Sequence, residues 1–194
     1  MDQEIEEAVR ACTVCQNVRN IPPSAPLIPW KWATRTFQRV HIDFSQTRND
    51  HFFVVIDSHS KWIEVQHMAS TNAERAIDEL RLIFVTQGLP GEVVSENGAQ
   101  FTSIEFAEFI LKNSIKHTLV PPYYRQSNGA PERLVRVVKD ALVKQVLEGK
   151  QGIAMKHRLA NFPFRYRITP QSTTGVTPAE LMVKRCLKNK VKSD

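Results

Sequence analysis

Apolar and polar positions alternate along Val40-His41-Ile42-Asp43-Phe44. Val40, Ile42 and Phe44 fall on one side and His41 and Asp43 on the other, the two-residue period of a strand with two unlike faces. Phe52 to Ile56 is instead a continuous apolar run, as expected of a strand buried on both faces. Asp57-Ser58-His59-Ser60 has turn chemistry and Trp62 to Met68 reads as a third strand, so an antiparallel meander is expected. Helical spacing then takes over. Ala73, Ala76, Ile77, Leu80 and Phe84 form one stripe, opened by the capping-box pattern Thr71-Asn72-Ala73-Glu74 and broken by Gly88, Pro90 and Gly91.

Val93-Val94-Ser95-Glu96 predicts a short strand ending at Asn97-Gly98. A second capping box, Thr102 with Glu105, opens a helix whose buried stripe is Phe106, Phe109 and Ile110. Ile115 to Val120 forms a fifth strand, closed by Pro121-Pro122. A loop from Tyr123 to Gly129 leads to a long helix from about Pro131 to Leu147, with proline in its first turn. More helix is expected from about Ile153 to Asn161, and Thr177 caps a last short helix with Pro178 at its first position. Three strands, helix, strand, helix, strand and further helices predict an α/β domain around one mixed five-stranded sheet.

Upstream, residues 4–11 read as the end of a helix, followed by Cys12-Thr13-Val14-Cys15. Four prolines between Pro22 and Pro29 favour an extended linker. A boundary is therefore expected near Trp30, giving a leading segment 1–30, a core 31–185 and a basic tail 186–194. With 194 residues the chain has room for one well-buried domain and a small appendage.

Composition changes this picture little, and charge changes it more. Hydrophobic residues make up 42% and charged residues 24%, ordinary for a globular protein. No apolar run is long enough to span a bilayer and the acidic start is no signal peptide, so no membrane partner and an intracellular protein are expected. Three cysteines make no disulfide framework. The net charge of +6 is unevenly spread: residues 1–120 carry 11 Lys/Arg against 15 Asp/Glu, and residues 121–194 carry 15 against 5. A basic half suggests a face for a polyanion; a solvated face without a partner is the alternative.

Three carboxylates stand where a sheet presents side chains to a shared pocket. Asp43 is on the polar face of the first strand, Glu96 at the end of the fourth, and Glu132 in the first turn of the long helix. Converging carboxylates suit Mg²⁺ or Mn²⁺, and two such ions can stabilise both oxygens of an in-line phosphoryl displacement. Each acid can equally be separately structural, Glu132 favouring its helix N-terminus. Along that helix Glu132, Arg136 and Lys139 share one face, while Val135, Val138 and Leu142 share another suited to the core.

The blocks around these acids carry a resemblance. Val40 to Phe44, Val55-Ile56-Asp57-Ser58-His59-Ser60-Lys61-Trp62-Ile63-Glu64, Ser95 to Phe101, Gln126 to Arg133 and Thr174 to Leu181 resemble the integrase core of Gypsy-class LTR retrotransposons and of retroviruses. Thirty-five residues lie between Glu96 and Glu132, the spacing of that family's second and third catalytic acids. The resemblance implies an RNase H-like fold and metal-dependent cutting and joining of DNA ends by multimers. It makes Asp43, Glu96 and Glu132 the catalytic, metal-binding triad. DNA contacts are expected from Arg125, Gln126, Asn128, Arg133, Arg136 and Lys139, and a homo-oligomer in the nucleus is expected.

This chain departs from the family at the second acid, where Ser-Asp-Asn-Gly is the rule and Ser95-Glu96-Asn97-Gly98 stands. The extra methylene moves the carboxylate by roughly 1 Å, and misplacement of that size lowers rates on the order of 100-fold. Impaired strand transfer is the expectation, and a domesticated, non-catalytic module for nucleic acid or protein binding is the alternative. Tyr123-Tyr124-Arg125 also replaces the family's Tyr-His-Pro. Cys12 and Cys15 resemble half of the family's His-His-Cys-Cys zinc module; a structural zinc needs four ligands, so Zn²⁺ is not expected here. The segment from Lys184 to Lys192 has the charge of a nucleic-acid contact, a nuclear address or a disordered tail.

Overall fold

The computed structural model describes residues 31–47, 50–120, 136–141, 143–144 and 155–188. Strands β1 (Arg39–Thr47), β2 (Asp50–Asp57) and β3 (Ile63–Met68) are followed by helix α1 (Ala73–Gln87). Strand β4 (Glu92–Glu96), the single turn α2 (Ala99–Thr102), helix α3 (Ile104–Lys112) and strand β5 (Lys116–Val120) come next. Residues 136–141 and 143–144 are helical and are termed α4; α5 (Met155–Arg167) and α6 (Pro178–Val183) close the described chain.

The five strands form one mixed sheet in the order β3-β2-β1-β4-β5. β1 pairs antiparallel with β2, and β2 with β3, which is the expected meander. β4 then lies parallel to β1, and β5 parallel to β4. Side-chain alternation divides the core in two. One face buries Val40, Ile42, Phe53, Val55 and Val93 against α1, α2 and α3 through Leu80, Phe101, Phe106 and Ile110. The other buries Phe52, Val54, Ile56, Ile63 and Val65 against Val138 of α4, with Phe162 and Tyr166 of α5 beside them. The apolar run of β2 thus faces helices on both sides.

Both predicted helix starts are one residue early. Asn72, not Thr71, caps α1, its side chain accepting from the Arg75 backbone N–H at 3.1 Å. Ser103, not Thr102, caps α3 by accepting from Phe106 N–H at 3.2 Å. Thr102 is already the last residue of α2, and its hydroxyl turns back to the Gly98 and Ala99 carbonyls. At α6 the expectation holds: Thr177 accepts from Glu180 N–H and the Glu180 carboxylate returns to Thr177, with Pro178 in the first turn.

α5 runs to Arg167, beyond the expected end at Asn161 and through Pro163. Proline removes one backbone bond from a helix, but tertiary contacts hold the segment beyond it. Arg167 donates to the Ile63 carbonyl and to Glu64, and its guanidinium lies 4.0 Å from the Trp62 ring centre. Two glycines have backbone roles. Gly88 ends α1 at φ 86, its N–H returning to Phe84, a conformation that disfavours side chains. A Cβ on Gly91 would lie 3.0 Å from the Gln38 carbonyl oxygen.

Candidate active site

The parallel pairing of β1 with β4 runs in register through Ile42 and Ser95. The next residues are Asp43 and Glu96, and alternation puts both on the face that α4 and α5 cover. Glu96 is the last residue of β4, still paired with Val120 of β5, and its side chain is exposed. Asp43 is further in, with 13% of its side chain exposed. Two of the three predicted acids are therefore brought side by side by sheet register alone.

α4 supplies a cation to this pair. Val138 is fully buried in the cluster that contains Val54, and Val54 is the cross-strand partner of Asp43. Seating Val138 there carries its neighbour Lys139 over Asp43, and the Lys139 ammonium forms an ion pair with Asp43 Oδ2. The other oxygen, Oδ1, accepts from Phe44 N–H at 2.7 Å. Burial pushes the Asp43 carboxyl above its usual range, the Lys139 charge and hydrogen bond oppose this, and the nearby Glu96 charge adds to the rise. Arg136, one turn earlier on α4, is exposed.

Histidines flank the acids on both faces of the sheet. His41, two residues before Asp43 on the same side of β1, is depressed to about 3 by burial, helped by the Arg39 and Lys61 charges. On the opposite face, Ser95 and His117 are hydrogen-bonded at 2.9 Å, joining β4 to β5 directly before Glu96. Burial lowers the His117 pKa.

Glu132, Arg125, Gln126, Asn128 and Arg133, with Cys12 and Cys15, lie outside the described residues. Among the described residues no group of three or more His, Cys, Asp or Glu side chains could hold a metal. Asp43 and Glu96 nevertheless suit a hard divalent cation, since both are oxygen donors and Asp43 already draws a positive charge to Oδ2.

Two features escaped the sequence reading. Lys139 was expected to meet DNA, and its pairing with Asp43 was not foreseen, although placing Lys139 on the same helical face as Glu132 implied that it points towards acids. The second is Asp57, read only as turn chemistry. It is 1% exposed and accepts from Phe37 N–H at 3.0 Å, Ser60 N–H at 2.8 Å and the Ser60 hydroxyl at 2.6 Å. The spacing Asp57-x-x-Ser60 is the available signal, because such side chains hydrogen-bond nearby backbone in turns.

A family model described as "Integrase core domain" matches residues 33–125, a span that contains Asp43 and Glu96. Residues 33–125, 93 of the 194, are thus similar to integrase core domains. The chain is 38% identical over 182 residues to an uncharacterized protein of Caenorhabditis elegans, covering 93% of this chain and 14% of that one. It is 30% identical over 188 residues to the Pol polyprotein of Feline endogenous virus ECE1, covering 92% of this chain and 17% of the polyprotein. The chain thus spans less than a fifth of these curated relatives. Among solved structures, a chain of the simian T-cell lymphotropic virus intasome in complex with PP2A regulatory subunit B56 gamma superposes with TM-score 0.71 at 19% identity, covering all of this chain and 71% of that one. The HTLV-2 integrase catalytic core domain in complex with magnesium (trimeric form) gives 0.64 at 18% identity, covering 77% and 99%. The chain shares with these structures an RNase H-like fold, a mixed five-stranded sheet flanked by helices.

Proposed function

We propose that this integrase core serves retroelement DNA integration, binding DNA and Mg²⁺ or Mn²⁺, with strand transfer impaired by Glu96. The observation that carries the reading is the placement of Asp43 and Glu96 directly after Ile42 and Ser95, the last paired residues of two parallel strands, within the span that matches the integrase core domain. In this reading Asp43, Glu96 and Glu132 hold the metal. Bound divalent ions supply charge stabilisation to the attacking and leaving oxygens of a phosphoryl displacement.

The chain's own residues do the positioning. Arg136 and Lys139 meet DNA phosphates from α4, joined by Arg125, Gln126, Asn128 and Arg133. Support comes from the family match and from the basic balance of residues 121–194. The HTLV-2 core is described in trimeric and dimeric forms, both with magnesium, which favours a homo-oligomer here too. The nucleus is the compartment such chemistry requires.

Glu96 also favours a second reading, a domesticated module that keeps the fold for binding without catalysis. A strand-transfer assay with Mg²⁺ and with Mn²⁺, comparing the native chain with Glu96→Asp, tests the first. The revertant is expected to be faster on the order of 100-fold; equal rates would sink the impairment. Loss of the biological role in Asp43→Asn would speak for catalysis, and an unaffected role for the binding module.

A further inference from the structure

We propose that Lys139 is a built-in cation that holds Asp43 until a divalent metal displaces it, so that metal binding frees the lysine for a phosphate. The inference rests on the metal reading above and adds to it a coupling between the two ligands of the site.

Three observations lead there. First, Asp43 is a metal ligand in that reading, and its Oδ2 is already engaged by the Lys139 ammonium. Second, the pair is partly shielded, with 26% of the lysine and 13% of the aspartate side chain exposed, so its attraction is less screened than that of a surface pair. A carboxylate this far from water needs a neighbouring positive charge, the more so with Glu96 alongside. Third, Lys139 cannot simply drift away while α4 stays docked, because the adjacent Val138 is fixed in the core. Its four-carbon stem can still swing the ammonium from Oδ2 towards solvent, where DNA phosphates would lie.

Competition for one oxygen makes the ligands interdependent. The ammonium lowers the affinity for metal, and metal raises the affinity of the released lysine for an anion by the same factor, since coupling is reciprocal. The helix face that seats the lysine is thereby a safeguard, discouraging metal from loading the site before DNA arrives.

The test measures Mn²⁺ binding to the whole chain without DNA, by electron paramagnetic resonance of the free ion. Lys139→Gln should bind Mn²⁺ more tightly by about 5- to 150-fold. Lys144→Gln, which removes an exposed charge from the same helix, should leave binding nearly unchanged. Equal affinity in the native chain and Lys139→Gln would overturn this inference while leaving the metal reading intact. No Mn²⁺ binding by either would overturn both. A second readout needs no lysine variant: amine-reactive labelling of Lys139, mapped by mass spectrometry. Labelling should accelerate when Mn²⁺ is added to the native chain and should already be fast in metal-free Asp43→Asn. Labelling that ignores both changes overturns the proposal.

Discussion

Asp57 and Glu92 show how differently two partly hidden acids can be stabilised. Asp57 accepts three hydrogen bonds from Phe37 and Ser60, tying the entry to β1 to the turn after β2. The turn also holds Lys61 at φ 64, a strained conformation for a side-chain-bearing residue. Asp57→Ala leaves these buried donors unmatched and is expected to remove ~3 kcal/mol or more, read as a fall in the urea midpoint. Glu92, its side chain 11% exposed, receives Arg39 at 2.7 Å and Lys116 at 2.9 Å, with Thr118 donating at 2.7 Å. Burial alone would raise its pKa; the hydrogen bonds from Arg39, Thr118 and Lys116 outweigh this and bring it from 4.5 to about 2. A carboxylate with a depressed folded pKa binds fewer protons folded than unfolded, so its stabilisation is complete above pH 4.5 and lost as pH falls towards 2. Glu92→Gln should therefore flatten that part of the stability–pH curve, and an unaltered slope in urea titrations would refute the assignment.

At the scale of elements, strands and their faces were legible because the sheet imposes a strict two-residue period. The alternation at Val40 to Phe44 placed Asp43 on the correct side, and the unbroken run in β2 announced burial on both faces. Helix ends were less legible. Asn72 and Ser103 compete with threonines one position earlier, and a sequence pattern alone does not say which hydroxyl or amide meets the free N–H groups. The extension of α5 through Pro163 was hidden for another reason, since Arg167 finds its partners in β3, about a hundred residues away. Of the site, the register of Asp43 and Glu96 followed from the strands, whereas the Lys139 contact depends on how α4 docks. Val138→Ala tests that docking. Loss of two methyl groups from a fully buried position is expected to lower stability by about 2 kcal/mol, and it should also speed labelling of Lys139 as its seat loosens.

For the molecule as a whole, charge is the main variable. A mildly acidic first part and a strongly basic remainder predict DNA affinity that weakens steeply with salt. Each phosphate contact contributes about 0.9 to the slope of log affinity against log salt for duplex DNA. The double variant Arg136→Gln/Lys139→Gln should therefore make that slope shallower by about 1.8, measured by fluorescence anisotropy over a salt series. A slope identical to that of the native chain would remove α4 from the DNA face.

The parallel pairing of β1 with β4 has a consequence for how the protein forms. Few residues separate β1, β2 and β3 along the chain, while Arg39 and Glu92, the first partners of the β1–β4 ladder, are 53 residues apart. Closing so long a loop is slow relative to forming hairpins. A refolding or newly synthesised chain should then complete its meander before Glu96 arrives near Asp43, and the two acids belong among the last parts of the sheet to come together. In pulsed hydrogen exchange during refolding, amides of β2 and β3 should gain protection ahead of those of β4 and β5.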